Sequence, residues 1–181
     1  MDDRASSPRT LTLLIERANE GDEQALSGLF AALYPDLRRI AHARLRRQGP
    51  LTLIDTVGLV HEAYLRLVNL GELDVENRSH FLAYAARTMR SIVVDMARAR
   101  QAERRGGAQK AVQLDTSIAV SASDPAVDVL RVHQALDELA RVDERLARVV
   151  EMRYFGGMSV EDTADALSIS PTSVKREWAM A

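Results

Sequence analysis

Residues 155–180 read FGGMSVEDTADALSISPTSVKREWAM, and the order of breakers, caps and apolar positions in this stretch decides the fold. Gly156 or Gly157 ends a preceding helix in the left-handed conformation. Ser159 followed by Asp162 has the spacing of a capping box, in which the hydroxyl caps the new helix and the acid reaches back. The helix so opened carries Val160, Thr163, Ala164 and Leu167, and Ala164 is small enough to admit a second helix closely. Ser168-Ile169-Ser170 is the turn, with Ile169 as its buried plug. Ser170 is a good N-cap, and Pro171 suits the first helical position, where its missing N–H costs nothing. The last helix sets Val174 and Trp178 four apart on an inner face and leaves Thr172, Ser173, Lys175, Arg176 and Glu177 mostly outside. Two short capped helices across a tight turn form a helix-turn-helix, whose second helix suits the DNA major groove. Thr172 and Ser173 at its entry can meet phosphates or bases, and Lys175 and Arg176 phosphates or guanine edges. A plain three-helix bundle with a polar outer face would have the same spacing.

Working back from this motif, the helical period continues. Val129, Val132, Leu136 and Leu139 make one stripe, and Leu146, Val149, Val150 and Tyr154 another. From Gly106 to Pro125 the chain is rich in Gly, Ala, Ser, Gln and Asp and has no stripe, which marks a linker. Before it, a helix runs from Thr10 to Asn19 and stops at Gly21. A longer one follows from Asp22, with Leu26, Leu29, Phe30, Leu33, Leu37, Ile40 and Leu45 on one face and Pro35 as a kink or break inside it. A third begins near Asp55 and closes at Gly71. A loop spans Glu72 to Ser79. A fourth helix runs from about His80 to Arg104 with Phe81, Tyr84, Thr88, Ile92 and Met96 inward. No run alternates with period two. The expectation is an all-α protein of two small helical domains, residues 1–107 and 126–181, joined by a flexible linker, 108–125, with the helix-turn-helix in the second.

Composition narrows the class. Apolar residues make up 46% and charged residues 28%, ordinary values for a globular chain, and aromatics only 4%, so the core is mostly aliphatic. Cysteine is absent, which excludes disulfides and thiolate metal sites. No window approaches the roughly 18 apolar residues of a membrane span. The start Met1-Asp2-Asp3-Arg4 lacks the order of a secretion signal, so the expected location is cytoplasmic, with no membrane partner. The net charge of −2 does not advertise a nucleic-acid binder, so the distribution of charge matters more than its sum.

That distribution is uneven. Arg87, Arg90, Arg98, Arg100, Arg104 and Arg105 crowd into the fourth helix and its end, opposed between Arg87 and Arg105 only by Asp95 and Glu103. Phe81 and Tyr84 lie beside them. Aromatic rings next to arginines suit opened or single-stranded DNA, where bases stack and phosphates require cations. The bland readings are a solvated cationic face and two core aromatics at helical spacing.

Three segments in one order resemble the extracytoplasmic-function (ECF) sigma factors, over nearly the whole chain. Residues 55–67, DTVGLVHEAYLRL, look like the family's polymerase-docking helix. Residues 81–95, FLAYAARTMRSIVVD, look like the helix that melts and reads the −10 promoter element, and residues 146–181 like the domain that reads the −35 element. The resemblance implies core RNA polymerase and promoter DNA as partners, with no cofactor. It implies DNA contacts by Tyr84, Arg87, Arg90, Ser91, Arg98, Thr172, Ser173, Lys175 and Arg176, and polymerase contacts by Asp55, His61, Glu62 and Arg66. The wording LVHEAYLRL and VKREW resembles a subgroup associated with serine/threonine protein kinases. Two departures carry meaning. Ser91 stands where the family often has Asn. Thr56, Val57 and Gly58 follow Asp55 where an acidic cluster is common, so a phosphoryl group at Thr56, or at Thr52 as runner-up, would restore charge at the docking helix. The chain ends at Ala181, within what the resemblance makes a longer recognition helix, so the second domain is expected to be truncated or marginal.

Two other classes compete with this one. A helix-turn-helix regulator acting without polymerase would bind an operator alone. An enzyme is disfavoured: His42, His61, His80 and His133 are scattered, no paired metal-ligand spacing occurs, and neither a phosphate loop nor a nucleophile elbow is present.

Overall fold

The computed structural model describes residues 8–46, 54–71, 73–106 and 125–181. Among them every regular element is helical: α1 (Pro8–Asn19), α2 (Glu23–Ala32), α3 (Tyr34–Arg46), α4 (Thr56–Leu70), α5 (Arg78–Gly106), α6 (Pro125–Val142), α7 (Glu144–Val150), a π-helical segment (Glu151–Phe155), α8 (Val160–Ala166) and α9 (Pro171–Met180). The linker read from composition lies, up to residue 124, outside the described residues, as does Thr52. No helix among the described residues is long and apolar enough to cross a membrane.

Local chemistry fixes most boundaries. Asp55 caps α4, its Oδ1 accepting from the Gly58 amide at 2.7 Å, and Gly71 closes the helix at φ +78°. Gly21 turns the chain out of α1 at φ +84°, where a side chain would meet the Gly71 carbonyl oxygen at 3.0 Å. The two glycine-terminated ends therefore abut, and a larger residue at position 21 is excluded twice over. The helix expected from Asp22 to about Leu45 is two helices. It breaks at Leu33, and Pro35 falls in the first turn of α3, where no intrahelical partner is lost.

The core of the N-terminal half is closed by α5. Phe81, Leu82, Met89, Leu29, Leu37, Leu59 and Leu67 are completely or almost completely buried. Phe30 meets Tyr64 and Phe81 edge-on, at 5.1 and 5.6 Å between ring centres. Burial on α5 is wider than the single stripe read from the sequence, because Leu82, Ala85, Ala86, Val93 and Val94 are buried too. The cause is its central position: α3 and α4 pack on it from one side, and α6 and α8 from another. The apolar core accordingly continues from the N-terminal helices to Ala126 and Val129 of α6 and to Met152 and Met158. Val132, expected in the α6 stripe, is instead exposed.

The C-terminal helices have a small cluster of their own, Val149, Ala164 and Val174, flanked by Val160, Leu167 and Ile169. Gly157 takes the left-handed conformation at φ +58°, and Gly156 stays helical. Ser159 Oγ accepts from the Asp162 amide at 2.9 Å, as its spacing predicts. The Asp162 carboxylate departs from the box pattern. It accepts from Ser159 Oγ at 2.8 Å and from Arg78 of α5 at 2.9 Å, drawn there by a guanidinium that no local pattern reveals. Ser170 caps α9 through the Ser173 amide at 3.1 Å, with Pro171 in the first position.

Candidate nucleic-acid interface

Helix α9 turns Val174 and Glu177 inward and leaves Thr172, Lys175 and Arg176 exposed, with Ser173 half-buried. Thr172, Lys175 and Arg176 are spaced three and four apart, so they share one outer face. The expectation that Trp178 belongs to the core is not met. Its side chain is 37% exposed, with the Arg153 guanidinium 5.7 Å from the ring centre, whereas Glu177 is only 2% exposed. The inner line of α9 runs through positions three apart, 174 and 177, because Arg145 of α7 stands opposite Glu177 at 2.8 Å. The two charges are close, although the Glu177 oxygens do not achieve hydrogen-bond geometry.

The arginines of α5 divide into two kinds. Arg87 and Arg98 are exposed. Arg90 is engaged: its guanidinium bonds Asp137 at 2.9 Å, the His133 carbonyl at 3.2 Å and Glu151 at 3.4 Å, and its side chain is 13% exposed. It also meets His133 Nδ1, while Arg98 approaches Nε2 of the same ring at 3.3 Å. Burial, then the charge of Arg90, lowers the pKa of His133, partly offset by Asp137. The imidazole is therefore neutral at pH 7.

Tyr84 and Arg87 line a groove of about 580 Å³ between α5 and the C-terminal helices, together with Leu136, Ala140, Arg148 and Met152. Tyr84 is half-buried against the core, so the bland reading of that aromatic is partly right.

The α4 residues lie on a helix packed against α5. Asp55 and His61 are exposed, and Thr56, Glu62 and Arg66 are partly buried. Arg66 donates to Ser91 Oγ at 3.0 Å and to Asp95 at 2.9 Å. It thus ties a residue assigned to polymerase to one assigned to DNA, and α4 and α5 present a joined surface.

Several charged residues at the junction escape a reading of the sequence. Arg44 of α3 is 3% exposed and lies 4.6 Å over the Phe155 ring. Burial, offset by Glu151 and reinforced by Arg90, pushes its pKa down to about 9, so it stays charged at neutral pH. Its Nε has no hydrogen-bond partner among the described residues. Arg78 bridges Asp36 at 2.5 Å and Asp162 at 2.9 Å. Burial opposes the Asp162 carboxylate, but the Ser159 hydroxyl and Arg78 outweigh it and hold its pKa below the usual range. Arg44 lies in a helical stretch and Arg78 in a stretch read as loop, and only the packing of distant helices gives either its partner across the junction.

A family model described as ECF sigma factor matches residues 8–181. No curated protein and no solved structure matches the chain.

Proposed function

We infer the division of labour in this molecule from one premise: the chain belongs to the ECF sigma factor family. Such factors are DNA-binding regulatory subunits, not enzymes, that join core RNA polymerase, recognise promoters and direct transcription initiation. Within that role, residues 1–107 form the docking and melting domain, residues 126–181 the −35 reading domain, and residues 108–125 the linker. Arg87, Arg90, Arg98, Ser91 and Tyr84 serve the melted −10 region, where cations and a ring suit separated strands. Thr172, Ser173, Lys175 and Arg176 serve the −35 duplex. The observation that carries the second assignment is the outer face of α9, where Thr172, Lys175 and Arg176 are exposed at helical spacing behind a fully buried Val174.

Asp55, His61, Glu62 and Arg66 of α4 form the polymerase-facing surface. The start of this helix holds one acid followed by three neutral residues, Thr56, Val57 and Gly58. A kinase of the serine/threonine class acting on Thr56 would add roughly −1.5 to −2 charges. At a helix N-terminus that charge is also favoured by the free amides and the macrodipole. Run-off transcription with core polymerase on random promoter fragments tests the reading. Promoter-specific transcripts are expected with the wild-type chain and more of them after kinase treatment. Transcripts that depend on the chain but are indifferent to Thr56→Ala would remove the phosphorylation step. Specific operator binding with no transcription would remove the sigma role.

A further inference from the structure

Arginines of the N-terminal half, Arg39, Arg44, Arg78, Arg90 and Arg98, reach across to the C-terminal half. Arg39 donates to the Gly157 carbonyl at 3.2 Å. Arg44 covers the Phe155 ring. Arg78 meets Asp162, and Arg90 meets Asp137 and Glu151. In these contacts the cations come from α3 and α5 and their partners from α6 to α8. Carboxylates and phosphates are the same kind of partner for a guanidinium, since both offer paired oxygens to its fork of donors. We propose that Asp137, Glu151 and Asp162 hold the arginine face of the N-terminal half in a closed state that excludes nucleic acid, occupying guanidinium groups that strand phosphates would otherwise take.

Three features support a reversible closure of this kind. The first is occlusion: Arg90 is nearly covered although Arg87, one turn away on the same helix, is exposed. The second is the thin apolar part of the junction from the C-terminal side, chiefly Ala126, Val129, Met152 and Met158. The third is the partial exposure of two of its ion pairs, with Asp137 at 48% in the pair with Arg90 and Arg78 at 37% in the pair with Asp162, although Arg90–Glu151 is covered on both sides. The two partly exposed pairs are screened by salt and contribute little each, so opening them is inexpensive. The inference rests on the assignment of α5 to DNA in the preceding section, and its test separates the two.

The chain has no cysteine, so Ala102→Cys on α5 and Val142→Cys at the end of α6 give a clean pair of dye sites on exposed positions. The inter-dye distance and the affinity for a fluorescent oligothymidylate are measured across salt. The variants are the labelled parent, Asp137→Asn with Glu151→Gln, and a control of equal charge change at the end of α1 and in the turn after it, Glu16→Gln with Glu20→Gln. Circular dichroism checks that helicity is kept. The expected result is a longer distance in the first variant only. Its oligonucleotide affinity should rise about tenfold over the control, with a salt slope steeper by about 0.7 for every additional phosphate neutralised. An unchanged distance would overturn the closed state and leave the DNA assignment of α5 standing. A longer distance with no rise in affinity over the control would overturn the masking and the α5 assignment together.

Discussion

Where α4 and α3 meet α5, Phe81, Leu59, Leu37 and Met89 are wholly buried among one another. Where α9 meets α7 and α8, the buried apolar side chains are Val149, Ala164 and Val174, and the next inward residue of α9 is a carboxylate, Glu177. The first region is held by volume. The second is held by caps at Ser159 and Ser170, by one charge pair, and by arginines lent from the first. The C-terminal helices therefore need the N-terminal surface more than that surface needs them.

The largest expected effect comes from breaking the stronger side. Phe81→Ala should cost about 3–5 kcal/mol, because it removes a fully buried ring and leaves a cavity beside Phe30. Val174→Ala should cost about 2 kcal/mol for two buried methyl groups and a smaller void. Denaturant melts report the totals, and amide hydrogen exchange reports where they fall. Val174→Ala should speed exchange in α7 to α9 and leave α4 and α5 protected. Uniform loss of protection in both halves would erase the contrast.

A smaller effect sharpens it. The coupling between Arg78 and Asp162, measured by a double-mutant cycle with Arg78→Ala and Asp162→Ala, should be about 0.5–1 kcal/mol, since both side chains are partly exposed. Asp36 shares the guanidinium, so a cycle with Asp36→Ala should show coupling of its own. Zero coupling to Asp162 would mean that the halves touch there without holding.

How much of this is legible in the sequence follows the range of the interactions. Gly21, Gly71, Asp55, Ser159, Ser170 and Pro171 act within a few residues, and each marks the boundary its local chemistry predicts. The outer face of α9 is equally readable, since three exposed polar residues and one buried valine share a helix turn. Trp178 is misplaced by a sequence reading because hydrophobicity ranks an indole above a carboxylate, and Arg145, which draws Glu177 inward, lies on another helix. Arg44, Arg78, Asp137 and Glu151 are invisible for the same reason. Arg90 and Asp137 are 47 positions apart in the chain, and Arg78 and Asp162 are 84 apart. The arginine-rich stretch of α5 makes Arg90 look like a free cation, when the C-terminal half already uses it.

The smallest expected effect is on pH. His133 is neutral in the closed state with its pKa lowered, so the open form takes up a proton more readily than the closed one. The closure should therefore be fully formed above about pH 6.5, the ordinary histidine value. It should loosen as pH falls below 6.5 toward the lowered value. The distance pair on α5 and α6 measures this, and His133→Gln should flatten the dependence. An unchanged slope in that variant would assign the titration to another group.

In the proposed reading the arginines of α5 act on promoter DNA as the strands open, while α9 acts on the duplex. The most direct measurement is open-complex formation with core polymerase across a salt series, comparing the wild-type chain with Arg87→Ala combined with Arg90→Ala. Fewer open complexes are expected, with a salt dependence shallower by about one unit for each phosphate left without its arginine and duplex recognition through Lys175 and Arg176 retained. Equal open-complex formation at every salt concentration would contradict it.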